Sequence, residues 1–206
     1  AQTVFFPTDD AFVEENDLDG VNNGAALNAR TELDNNRNDI IYLRFDISDV
    51  SEPIRAATIN LTWFRDKNVD HLALLYYGLN ESADGEADWT ELDLAYENAP
   101  GLIPDDLNTI EEFEEGNSVE ETQDLDEDNL TYLGRRDLLD FTDDDNIEGQ
   151  QVGHTDGDMV DFLTADSDGL VTFMVLRDWD NSGTQLRFAS KEALDLETIL
   201  GDDEGQ

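Results

Sequence analysis

Apolar and polar residues alternate with a period of two over much of this chain. The runs Thr3-Val-Phe-Phe6, Ala57-Thr-Ile-Asn-Leu-Thr-Trp-Phe64, Leu72-Ala-Leu-Leu-Tyr-Tyr77 and Leu170-Val-Thr-Phe-Met-Val-Leu176 read as strands, and Ile40-Ile-Tyr-Leu-Arg-Phe-Asp-Ile-Ser48 is the clearest of them. Turn-forming clusters separate the runs: Asn22-Asn-Gly24, Asp34-Asn-Asn36, Asp84-Gly85, Asp168-Gly169 and Asp180-Asn-Ser-Gly183. Many short strands spaced by such turns predict an all-β chain, an antiparallel β-sandwich of the jelly-roll kind. An open single sheet would leave edges and one apolar face uncovered. The length of 206 residues fits one domain, 1–206. From about Ile103 to Asn129 the rhythm breaks, where Glu111-Glu-Phe-Glu-Glu115 and Glu120-Glu121 run into Asp124-Leu-Asp-Glu-Asp128. That stretch reads as a long acidic insertion (about 103–129), either lying over the sandwich with a helical turn or two, or forming a solvated loop.

Within the clearest run the alternation puts Ile41, Leu43, Phe45 and Ile47 on one face and Tyr42, Arg44, Asp46 and Ser48 on the other. Arg44 stands there in a chain with 11 Lys plus Arg against 52 Asp plus Glu. A cation in mid-strand is expected to meet a carboxylate across the sheet, such as Asp10 or Glu192, and to stitch the fold rather than work on a ligand.

Charge narrows the partners. A formal net charge of −41 repels nucleic acid and anionic membranes and favours metal cations. Self-repulsion on this scale destabilises a compact state at low ionic strength, so salty surroundings, divalent ions or both are expected. There is no cysteine, which rules out a disulfide framework and a thiolate zinc site. No apolar run approaches the ~20 residues of a membrane-spanning helix. The start Ala1-Gln2-Thr3 has the look of a chain trimmed by signal peptidase, which fits a secreted, extracellular protein in a saline setting.

Four features, taken in order, resemble the extracellular DNRLRE domains grouped with carbohydrate-binding module family 96. An early Asp10-Ala-Phe-Val13 precedes Asn22-Asn-Gly24, and Tyr42-Leu-Arg-Phe-Asp46 follows. Then come Trp89-Thr-Glu91 with Tyr96-Glu-Asn-Ala-Pro100, and finally Phe188-Ala-Ser-Lys-Glu192. Tyr96 stands where the family has Trp, and the connection after Pro100 is longer than usual. The resemblance implies a β-sandwich without catalytic activity of its own, often calcium-bound. It places Asp10, Arg44, Asp46 and Glu192 at scaffold positions.

Candidate chemistry follows from the oxygen-rich turns. Calcium takes Asp, Asn and backbone oxygens gathered by tight loops. Asp178-Trp-Asp-Asn-Ser-Gly183 has alternating oxygen donors before a glycine, like the first half of an EF-hand loop, but Ala189 stands where the twelfth-position Glu belongs. It reads either as a calcium-binding hairpin loop through Asp178 and Asp180 or as an ordinary turn. Asp17, Asp19 and Asn22 in the first long loop, Asp143-Asp-Asp-Asn146, Asp156 with Asp158, and Asp166 with Asp168 are the other calcium candidates. For a glycan, aromatic platforms and polar grips are needed. Trp179, between two aspartates, is expected to be exposed, and Arg135-Arg136 is the one adjacent basic pair. Trp63 and Trp89 read as packing residues. Catalysis has little support: His71 and His154 are the only histidines, and with so many acids any carboxylate pair arises by chance.

The expected function is therefore a secreted, calcium-binding, non-catalytic module that binds polysaccharide. The alternative is a self-assembling subunit of an extracellular fibre, sheath or surface layer, held by calcium and by strand exchange through Thr3–Phe6.

Overall fold

A computed structural model describes residues 3–15, 17, 19–22, 24–32, 37–63, 73–83, 88–103, 125–138, 149–178 and 185–191. It has nine strands and one α-helix among the described residues: β1 (Asp9–Glu14), β2 (Ala26–Glu32), β3 (Arg37–Asp46), β4 (Ile59–Thr62), β5 (Ala73–Leu79), β6 (Leu130–Asp137), β7 (Gln151–His154), α1 (Gly157–Ala165), β8 (Leu170–Arg177) and β9 (Leu186–Ala189). All strand pairs are antiparallel, so the chain is an all-β sandwich.

β3 divides the layers. Asp39 lies opposite Glu14 on one edge and Arg30 on the other, while Arg44 lies opposite Asp9 and Thr172. One edge of β3 therefore carries β1, and the other carries first β2 and then β8. From this fork one layer runs β1-β3-β8-β5-β6 and the second starts with β2-β9. The hairpin-like pair β4-β7 joins the second layer through a bridge between Trp63 and Phe188.

The period-two pattern of β3 decides what each face buries. Ile41 and Leu43 enter the core between the layers, with Leu27, Leu61, Trp63, Val152, Phe173 and Phe188. Trp63 and Phe188 meet edge to face at 5.1 Å between ring centroids. Tyr42 points the other way, into a second core with Val13, Tyr77, Met174, Trp89 and Tyr96. Among the described residues no sheet covers this outer face. The segment 88–103 lies over it, which is why β5 is buried at every position and reads as an unbroken apolar run.

Four local features differ from the alternation's forecast. Thr3–Phe6 is not a strand: Val4 and Phe6 are 67% and 79% exposed, and the ladder begins after Pro7, which has no N–H to donate. On the partner side β3 ends at Asp46, whose carboxylate accepts from Ser48 N and turns the chain. Helix α1 was not expected; Asp156 caps it by accepting from Asp158 N at 2.9 Å, and Met159 is fully buried. Its Phe162 packs on Phe173 and over Gly78, where a Cβ would lie 2.5 Å from the ring. Finally, β6 bulges opposite Tyr76: Tyr132 pairs with Tyr77 and Arg135 with Leu75, and Gly134 takes φ +105. Most of the expected acidic insertion, 104–124, lies outside the described residues, but its stems meet in a bridge between Leu102 and Leu125.

Candidate functional site

The charged pair in β3 is resolved by register. Arg44 lies opposite Asp9, so both side chains share the outer face, and Arg44 Nε donates to Asp9 Oδ2 at 3.1 Å. Its Nη1 donates to the carbonyl of Trp89, and the guanidinium stands 4.9 Å from the Trp89 ring centroid. Trp89 Nε1 in turn donates to Thr172 Oγ1 at 3.0 Å, and Tyr42, edge-on to Trp89, donates its hydroxyl to Pro100 O at 2.8 Å. Burial pushes the Tyr42 phenol well above its ordinary pKa. Arg44 thus fastens the covering segment to the sheet, with Asp9 rather than Asp10 as its carboxylate.

Asp10, one residue on, turns to the other side of β1. Its carboxylate accepts from Lys191 N at 2.7 Å, and Lys191 also pairs with Glu91, whose carboxylate accepts from Asp10 N. Three separate segments, β1, the covering segment and the end of β9, are tied at one point. Asp46 lies at the surface, where hydrogen bonds from the Ser48 hydroxyl and N–H hold its carboxyl below the ordinary value. Glu192 lies outside the described residues.

Among the described residues no group of three or more His, Asp or Glu side chains is close enough to hold a metal. Asp17 and Asp19 are exposed, and the Asp17 carboxylate packs against Gly20. Asp166 Oδ2 and Asp168 Oδ1 accept from Gly169 N and Leu170 N, shaping the turn into β8. Partial burial, then the nearby charges of Asp168 and Glu81, raise the Asp166 pKa. Asp178 is committed to an ion pair with Arg135, and Asn22 pairs through its backbone with Phe12. Residues 143–146 and Asp180 lie outside the described residues.

The aromatic inventory points to one place. Tyr42, Trp63, Tyr76, Tyr77, Trp89 and Tyr96 are all buried. Tyr132 is 45% exposed, the only exposed Trp or Tyr among the described residues. Its ring sits on the outer face of β6, tilted against Tyr77 at 5.3 Å. Because the bulge lies between them, Arg135 shares that face with Tyr132, while Arg136 lies opposite Leu74 of the inner core. Arg135 Nη1 pairs with Asp137 at 2.5 Å and its Nε with Asp178 at 2.6 Å. Burial works against the Arg135 charge, but the hydrogen bond and charge of Asp178, then Asp137 and Tyr132, raise its pKa. Trp179 follows Asp178 in the chain and lies outside the described residues. Arg135 was legible as half of a basic pair, whereas Tyr132 was missed. Its signal was an aromatic in the short run Leu130-Thr-Tyr-Leu133, directly before that pair.

A second polar surface is the outer side of β2-β9 and β4-β7, where Asn28 faces Arg187 and Thr62 faces Gln151. It carries amides and a cation but no exposed aromatic among the described residues. At the end of the sandwich Asp39 is buried and accepts from Gln185 Nε2 at 2.9 Å. Arg177 is fully buried, and burial, then Arg30, pushes its pKa down to about 10.

No curated protein matches the chain. The profile of carbohydrate-binding module family 96 matches residues 1–117, the half that holds β1 to β5 and the covering segment. The Asp9–Arg44–Trp89 linkage falls within that span, whereas Tyr132, Arg135 and Asp178 fall outside it. With more than half of its length matched, and with the expected β-sandwich, the chain belongs to carbohydrate-binding module family 96.

Proposed function

We propose that this protein is a non-catalytic module that binds polysaccharide along the outer face of β6, across Tyr132 and Arg135, outside the cell in a saline medium. The family supports carbohydrate binding, and its members are generally non-catalytic. The observation that carries the place is the exposure of Tyr132 beside an Arg135 held between two aspartates. A phenol ring offers an apolar face to the C–H side of a pyranose, and carboxylates and guanidinium reach the hydroxyls. Tyr132→Ala is expected to lower affinity for a bound glycan at least tenfold in titration calorimetry while leaving the melting temperature nearly unchanged. Affinity that survives this substitution would remove the site from β6.

Calcium belongs to this proposal as a stabilising counter-ion of the acidic loops, among them the one that contains Asp180. A second reading, a self-assembling subunit, has one observation in its favour: the Thr3–Phe6 segment exposes Val4 and Phe6 to solvent and belongs to no strand. Light scattering in calcium and in chelator separates the two, since a monomer in both leaves the module alone standing.

A further inference from the structure

The Tyr132 surface also limits the charge of what it can hold, and this step rests on the placement just proposed. A polymer of uronic acids brings a carboxylate on every residue and needs cations free to meet them. Among the described residues Arg135 is the cation on the open part of this face, and its charge is already met twice, at Nη1 by Asp137 and at Nε by Asp178, contacts that do not use Nη2. One positive and two negative groups leave the trio with a net negative charge. An incoming carboxylate that reached the guanidinium would meet both aspartates at close range. Salt does not remove that conflict. Screening has a length of about 10 Å at 0.1 M and about 3 Å at 1 M, so it weakens the field of the whole −41 chain but not contacts at hydrogen-bond distance.

The same trio suits a neutral sugar. Asp137, whose side chain is 52% exposed, offers acceptor oxygens to hydroxyl groups. Arg135, fixed by its two partners, is oriented in advance, which lowers the entropy lost on binding. The Tyr132 ring stands beside them on the same face, as the pairing of Tyr132 with Tyr77 and Arg135 with Leu75 requires. These residues lie beyond the part of the chain matched by the family profile, so the match says nothing of this surface's ligand.

We infer that the ligand of this surface is a neutral polysaccharide, one pyranose face stacked on Tyr132 and its hydroxyls gripped by Asp137, Asp178 and Arg135, and that polyuronates are rejected when divalent cations are absent. The test is affinity electrophoresis of the full chain in chelator, through gels containing β-glucan, mannan, xylan or polyuronate. At least one neutral polymer should retard the protein. Tyr132→Phe should keep that retardation, Tyr132→Ala should weaken it tenfold or more, and Asp137→Asn should weaken it several-fold while letting polyuronate bind. Polyuronate binding by the unaltered protein that disappears in Tyr132→Ala would keep the site and overturn the neutral ligand. Neutral binding indifferent to Tyr132→Ala would overturn the placement, and retardation by no polymer would overturn both.

Discussion

Arg44 and Tyr132 both project from the outer face of the same sheet, and burial separates their work. Arg44 is nearly enclosed and holds Asp9 and the Trp89 carbonyl; Tyr132 lies half open beside the covered area. Replacing Arg44 with Met would strand an acceptor carbonyl and a half-enclosed carboxylate. The expected loss is about 3 kcal/mol of folding stability in denaturant melts, with glycan affinity unchanged. A variant that keeps its stability and loses binding would make Arg44 a ligand residue instead. At this scale the sequence was half readable. Alternation put Arg44 on the face opposite Ile41 and Leu43, as found. The partner was not readable, because Asp9 and Asp10 are adjacent and face opposite sides; only register chooses between them, and a slip of one residue reverses every side chain.

Among the elements, the segment 88–103 has the largest structural effect for the least secondary structure. It contains one short 3-10 turn, Tyr96–Asn98, yet it covers the outer face over β1, β3, β8 and β5. Its attachment is polar at both ends, Trp89 to Thr172 and Arg44, Pro100 to Tyr42, and apolar between, through Leu94, Tyr96 and Ala99. Tyr42→Phe keeps the ring packing and leaves the buried Pro100 carbonyl without this donor. A cost of about 1–2 kcal/mol is expected, read as a lower denaturation midpoint with an unchanged slope. A neutral result would mean that the apolar contacts alone hold the segment. The strands were legible because burial on one or two faces writes alternation or unbroken apolar runs. Helix α1 was not, although Asp156 as a cap and Met159, Phe162 and Leu163 at helical spacing were present, because nine residues between strand runs carry a weak period.

For the whole molecule the governing quantity is charge. The chain holds −41 formal units, and three of its few cations are spent on internal contacts: Arg44 under the covering segment, Arg177 inside the sandwich, Lys191 between Asp10 and Glu91. Mutual repulsion of the surface acids should therefore fall as salt rises, and thermal melts are expected to shift upward by several degrees between 0.05 M and 1 M sodium chloride. Millimolar calcium at matched ionic strength should add to that shift if it binds the native chain more tightly than the unfolded one. A melting point indifferent to salt would refute the charge argument, and indifference to calcium alone would refute the metal. Neither the ligand nor the metal was legible, since an acidic chain makes every oxygen-rich turn look like a site.

The bridge between Leu102 and Leu125 clasps the two ends of the most acidic stretch, and Asp126 N adds to it by donating to Gly101 O. Between those stems the sequence has nine carboxylates and no Lys or Arg. A loop whose ends are already clasped can lengthen at a cost that grows only with the logarithm of its length, about 0.6 kcal/mol per doubling. Lengthening the chain between these two clasped residues is therefore expected to cost little stability, read as a nearly unchanged denaturation midpoint.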